Sequence, residues 1–139
     1  MVAFAIPAGI IATRIGKKKT IFIGLVLIIL LFGGLFYSTD INTIGYLFII
    51  AGISATLIHI NSYPLVVSMT TSSNIGRFTG YYYLASSLAN IVSPPLAGGL
   101  MDIFGYGILF KYAVVGFILA LVCLLMVKTP SEKPLVTEL

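Results

Sequence analysis

The sequence predicts an all-α membrane protein with about five transmembrane helices. Its composition is the first reason: of 139 residues, 59% are hydrophobic and 9% are charged, whereas a soluble domain carries roughly 25% charged residues. The mean hydropathy of +1.12 agrees. The second reason is the pattern, because the charged residues gather in short segments between long apolar runs.

Five apolar runs define the spans. A transmembrane helix needs about 20 apolar residues to cross the ~30 Å hydrocarbon core, and the last four runs approach or exceed this length. The first run rises only about 20 Å, so we interpret it as the second half of a truncated helix. A transmembrane helical bundle is thus expected over residues 1–127, with a tail at 128–139. The spans are about 1–13, 20–37, 44–69, 78–101 and 108–127.

The charges predict the orientation of the bundle. The segment Arg14–Lys19 holds four of the eight basic residues and no acidic residue. Short basic loops between spans stay in the cytoplasm. The turns at Asp40 and Asp102 are then outside, whereas the loop ending at Arg77 and the tail from Lys128 are inside. We therefore expect an integral membrane protein, in the plasma (cell) membrane, with a cytoplasmic C-terminus.

Polar side chains are concentrated in the third and fourth spans, which we expect to be interior, with the nearly apolar second and fifth spans facing lipid. At 100° per residue, one stripe of the fourth span spreads over about 120°; it comprises Tyr83, Ser86, Ser87, Asn90, Ser93 and Pro94. The stripe could serve helix packing, where Ser and Asn bridge neighbours. Alternatively, it could line a solute pathway, whose candidate residues are Asn61, Tyr83, Ser87 and Asn90. The pair Pro94-Pro95 is expected to interrupt the helix.

His59 lies near the middle of the third span and is the only histidine in the sequence. A histidine titrates near neutral pH and could relay a proton. The alternative is a neutral imidazole that hydrogen-bonds to a neighbouring helix, which the lack of a carboxylate within any span favours.

Enzyme chemistry finds little support in the sequence. No pair of carboxylates, phosphate-binding loop or metal-ligand cluster is present, and the single cysteine, Cys123, lies in an apolar run. We expect no enzyme activity, no cofactor and no metal. The net charge of +4 is explained by the basic loops of a membrane protein, so no nucleic-acid partner is expected.

The segment G-I-I-A-T-R-I-G-K-K-K between the first two spans resembles the cytoplasmic-loop motif of the major facilitator superfamily, a glycine followed by D-R-x-G-R-R or D-R-x-G-K-K. The residues that match this gate motif are Gly9, Arg14, Gly16, Lys17 and Lys18. Thr13 replaces the usual aspartate, which puts in doubt a charge contact that latches the family's inward gate. Four spans follow the motif, so the resemblance places the chain in the C-terminal six-helix half, from the end of the eighth helix through the twelfth.

The run from Arg77 to Asp102 is similar to the eleventh helix of the sugar/cation symporter branch that includes sucrose-type carriers. This resemblance implies a fragment of a secondary active transporter that moves a small polar solute, such as a sugar, by ion-coupled alternating access. Its partners would be the lipid bilayer, the missing N-terminal half and a small neutral solute, since no Arg or Lys lies deep in the third or fourth span. The alternatives are a small structural or accessory membrane protein and a half-transporter with a separately encoded partner.

Overall fold

The computed structural model describes residues 2–35 and 41–128. Five α-helices follow one another along this part of the chain, with a short 3₁₀ turn at Ser72–Asn74. The helices are α1 (Val2–Ile15), α2 (Lys17–Leu35), α3 (Ile41–Ser68), α4 (Ile75–Phe104) and α5 (Ile108–Met126). The prediction of an all-helical fold is confirmed for the described residues, and each of the five predicted spans overlaps one helix.

Three of the described helical segments are long and apolar enough to cross a membrane: Lys17–Leu35, Ile44–Ser68 and Ile108–Met126. A shorter apolar helix covers Ile6–Ile15. Helix α4 has 30 residues, which is sufficient length, but it carries the polar stripe. The chain therefore has the composition of an integral membrane protein, and the placement of the first and fourth spans in the bilayer stays a prediction.

Helix α2 occupies the centre of the packing, against α3 on one side and α5 on the other. The apolar core consists of Ile21 and Leu25 from α2, Leu65 from α3 and Leu124 from α5. Helix α1 packs against α3 and α2, whereas α4 makes smaller contacts with α3 and α5. The burial of apolar side chains between α2, α3 and α5 positions the remaining helices.

Within the described residues, the expected order of interior and outer helices holds for α3 and α5 but not for α2 and α4. Helix α2, expected to face lipid, contributes buried residues along its length, whereas α4, expected to be interior, contributes none. The physical reason is that a small residue of α2 allows close contact with α3. Gly24 lets α2 approach α3 so closely that an added Cβ would lie 2.9 Å from the Ser54 carbonyl oxygen.

The prolines do not end the helices that contain them. Helix α4 continues through Pro94 and Pro95 to Phe104, and α3 continues through Pro64 to Ser68. The predicted interruption at Pro94-Pro95 is therefore wrong. Proline still lacks an N–H, so the hydrogen bonds that these positions would donate to the carbonyls four residues earlier are absent.

Two predicted boundaries also differ from the structure. Helix α3 begins at Ile41, inside the turn expected at 38–42, and α4 begins at Ile75, three residues before the predicted start. The remainder of that turn and the tail beyond Lys128 lie outside the described residues.

Candidate functional site

The basic motif forms the corner between α1 and α2, and Gly16 alone connects the two helices. Gly16 has a φ of 93°, in a region that L-residues with a Cβ rarely adopt. Its N–H donates to the Ala12 carbonyl at 3.0 Å, which closes α1. Its own carbonyl accepts from the Thr20 N–H at 3.1 Å and from Thr20 Oγ1 at 3.0 Å. The second glycine of the motif thus makes the corner between α1 and α2.

Arg14 and Thr13 lie on the last turn of α1 and are exposed. A cation at this position interacts favourably with the carbonyl end of the helix. Thr13 Oγ1 donates to the Ile10 carbonyl at 2.8 Å. The neutral residue that replaces the family's aspartate therefore uses its hydroxyl within its own helix. The first motif glycine, Gly9, is half-buried, and a Cβ there would meet nothing within 4 Å.

Lys17, Lys18 and Lys19 form the first turn of α2, where the helix dipole disfavours cations. The ammonium group of Lys18 lies at the C-terminal end of α5, where a cation is favourable. Lys18 Nζ donates to the Leu125 carbonyl, in the last turn of α5, at 3.4 Å and to the Val127 carbonyl, just beyond that turn, at 2.6 Å. The last turn of α5 has no basic residue of its own. Lys18 therefore supplies the positive charge that the carbonyl end of α5 favours.

The predicted pathway residues on α4 are all exposed: Tyr83, Ser87 and Asn90. Tyr83 keeps 58% of its surface accessible. The missing N–H groups of Pro94 and Pro95 leave the carbonyls of Asn90 and Ile91 without their usual helical donor. Ser87 and Asn90 thus offer exposed side-chain hydrogen-bonding groups on this face of α4.

Asn61 has a different environment. It is 3% exposed, and its Nδ2 donates to the Leu57 carbonyl of its own helix at 2.8 Å. Ser54 and Thr56, also buried in α3, likewise donate to carbonyls four residues earlier, at 3.0 and 2.7 Å. The structure therefore does not bring Asn61 onto the exposed surface that carries the other three candidates.

His59 is exposed on α3. Asp102, in the last turn of α4, is the single acidic residue within residues 2–35 and 41–128. Those same residues contain no group of three His, Cys, Asp or Glu side chains that could hold a metal ion. The relay role of His59 stays a prediction.

An aromatic cluster joins α3 to the beginning of α4, and the sequence reading did not identify it. The Tyr63 ring lies 5.5 Å from that of Tyr82 and 6.1 Å from that of Tyr83, and the Tyr63 hydroxyl is 3.2 Å from Thr79 Oγ1. In the sequence, the three consecutive tyrosines at 81–83 could have indicated this aromatic cluster. Near the other end of α4, Ser93 Oγ lies 3.0 Å from the Tyr112 hydroxyl of α5. Side-chain contacts therefore join α4 to both neighbours through Tyr83 and Ser93 of the polar stripe, whereas Ser87 and Asn90 are exposed.

A comparison with protein families identifies the chain. The family model described as Major Facilitator Superfamily matches residues 1–139. No curated protein matches the chain significantly, and no solved structure does so either.

Proposed function

The chain belongs to the Major Facilitator Superfamily, and from this premise we propose that it is the C-terminal portion of a secondary active transporter for a small, neutral, polar solute such as a sugar. The family consists of transporters that work by alternating access, in which two helical halves rock about a site near the middle of the membrane. The observation that carries the proposal is the exposed polar stripe of α4 in a chain of membrane helices.

The stripe supports a solute pathway because polar groups in a membrane protein face either other protein or water. Tyr83, Ser87 and Asn90 are exposed in the described part of the chain, and the free carbonyls before Pro94 and Pro95 add acceptors beside Asn90. These groups are uncharged donors and acceptors, which suit a hydroxyl-rich solute. Among the described residues of α3 and α4 the one cationic residue is Arg77, near the beginning of α4, so neither helix presents a cation deep in the membrane to select an anion.

The correspondence between the helices of this chain and the numbered helices of the family is inferred from the motif. The corner at Gly16 is followed by α2, α3, α4 and α5, which is the number of helices that follow the second copy of the motif in this family. We assign α2 to α5 to the ninth to twelfth helices, and the missing partner is the N-terminal half of the carrier. The sugar/cation symporter branch belongs to the same proposal and is supported by the resemblance of residues 77–102. A proton relay through His59 also belongs to it and is supported by the position of His59 near the middle of α3.

The test is solute uptake by the complete carrier with matched substitutions. Asn90→Ala should reduce uptake or raise the apparent KM at equal expression, since Asn90 is exposed on the stripe. Ile91→Ala is the control, because Ile91 is the next residue and its exposed side chain offers no hydrogen bond. Unchanged uptake in Asn90→Ala, Ser87→Ala and Tyr83→Phe would leave the stripe with a packing role only.

The proposed topology has a separate test. We place the Arg14–Lys19 corner and the C-terminus in the cytoplasm of a plasma-membrane protein, because short basic loops resist translocation. With Cys123 replaced by serine, single cysteines at positions 40, 74 and 130 can be labelled in intact cells with an impermeant reagent. Labelling is expected at position 40 alone, and labelling at 74 or 130 contradicts the orientation.

A structural or accessory membrane protein is the second candidate. The buried polar groups of α3 favour it, because Ser54, Thr56 and Asn61 bond to carbonyls of their own helix and serve close packing. The two candidates differ in their genetic setting. An upstream reading frame encoding about seven more helices supports the carrier, whereas an independent promoter and ribosome site supports the accessory protein or a half-transporter.

A further inference from the structure

An apolar groove lies between α2, α3 and α5, close to the membrane face that holds the basic corner. Its volume is about 270 Å³. The lining includes Leu25 of α2, Ile58 and Leu65 of α3, and Ala120 and Cys123 of α5. Val127, just after α5, closes the end nearest the surface.

The size of the groove indicates what can fill it. From Ala120 to Val127 the groove follows α5 for about 10 Å along its axis. A single acyl-chain segment matches this long, narrow and apolar space.

The mouth of the groove is positively charged. The Val127 carbonyl at its end accepts from Lys18 Nζ at 2.6 Å, and Lys19, the next residue, is exposed. An ammonium group has three N–H donors, of which the carbonyls of Val127 and Leu125 take two. One donor therefore remains for an anion at the mouth, and Arg14–Lys19 contains no acidic residue to compete.

We propose that this groove binds one anionic phospholipid, with an acyl chain between α3 and α5 and the phosphate against Lys18. Anionic lipids are concentrated in the cytoplasmic leaflet, and basic pockets between transmembrane helices bind their headgroups. The charge of the corner and the apolar walls below it match the two ends of such a lipid. The proposal depends on the membrane placement of the chain and is independent of the solute.

Native mass spectrometry of the purified chain tests the proposal, with phosphatidylglycerol and phosphatidylcholine of identical acyl chains as probes. One phosphatidylglycerol should bind at least about fivefold more tightly than phosphatidylcholine, since one basic residue near the membrane surface contributes about that factor. Lys18→Gln should remove about fivefold of the phosphatidylglycerol affinity, whereas Lys18→Arg should retain it. Lys111→Gln is the matched control, because Lys111 lies at the opposite end of α5 and should leave this site unchanged.

A second pair of variants tests the groove itself. Ala120→Phe places a ring among the lining residues and should abolish the tight site, whereas Leu119→Phe, on the adjacent exposed position outside the lining, should not. Equal affinities for the two lipids would mean that the groove holds only unselected boundary lipid, and this result would overturn the proposal. Equally tight binding of soluble glycerol phosphate, or a lipid-free dimer that Ala120→Phe disrupts, would also overturn it, in favour of a simple phosphate site or a second copy of the chain.

Discussion

Helix α2 contributes six buried residues, whereas α4, although eleven residues longer, contributes none among the residues described. Beyond its first turn α2 is nearly apolar, and α4 carries the polar stripe. The comparison shows that apolar character alone does not predict which helices pack against the rest of the described chain. Lipid and protein interiors are about equally apolar, so close association depends on shape and on small residues. Gly24 supplies that shape in α2, whereas a Cβ added at any glycine of α4 would meet nothing within 4 Å.

The largest expected effect concerns this close approach. In Gly24→Ala, the new Cβ would lie 2.9 Å from the Ser54 carbonyl oxygen, 2.9 Å from Ile58 Cγ1 and 3.2 Å from Leu57 Cβ. Backbone and a branched side chain can move little, so α2 and α3 must separate. We expect a loss of about 1–3 kcal/mol in the free energy of unfolding, measured by SDS titration in mixed micelles.

Gly33→Ala is the control for Gly24→Ala, because both glycines lie in α2 and a Cβ at Gly33 would meet nothing within 4 Å. Alanine favours helix over glycine by roughly 0.5–1 kcal/mol, so Gly33→Ala should be neutral or stabilising. If the two variants behave alike, the close packing of α2 on α3 does not exist as described.

The second prediction compares one asparagine from each region. Asn61→Ala removes a buried amide and leaves a small cavity, and we expect it to cost about 1–2 kcal/mol of stability. Asn90→Ala changes an exposed residue and should alter stability by less than about 0.5 kcal/mol. The same SDS titration checks both variants. A larger loss from Asn90→Ala than from Asn61→Ala would show that α4 is packed by parts of the protein beyond those described.

Sequence patterns predicted the helices better than their contacts. Long apolar runs ended by charges and glycines fix five helices, because an unpaired backbone cannot lie in hydrocarbon. The corner at Gly16 was also predictable, since a glycine between helices commonly adopts positive φ. The Lys18 contact with Val127 joins positions 109 apart, and no local pattern reports such a distance. The sequence grouped Asn61 with Asn90 as solute-pathway candidates, but periodicity could not indicate which way α3 turns its polar side chains.

The third prediction concerns the attachment of α5 to α2. Lys18→Met keeps an apolar side chain of similar length but removes the charged hydrogen bonds to Val127 and Leu125. We expect a loss of about 1 kcal/mol and faster amide hydrogen exchange in the last turn of α5. Lys19→Met is the control, because Lys19 is exposed. Equal exchange in both variants would indicate that Lys18 does not cap α5.

The smallest expected effect concerns the contacts that hold α4. Tyr63→Phe removes the hydroxyl that lies 3.2 Å from Thr79 Oγ1, and Tyr112→Phe removes the hydroxyl 3.0 Å from Ser93 Oγ. Each neutral hydrogen bond contributes about 0.5–1.5 kcal/mol, and the aromatic ring stays in each variant. Because the two contacts lie near different ends of α4, their effects should add in the double variant.

Hydrogen exchange should accelerate in α4 while it stays unchanged in α2, whose burial rests on α3 and α5. Tyr106→Phe serves as the control, since Tyr106 is 86% exposed in the turn before α5. Acceleration spread equally over α2 and α4 would mean that the two regions unfold as one unit, and the contrast between them would then concern surface composition alone.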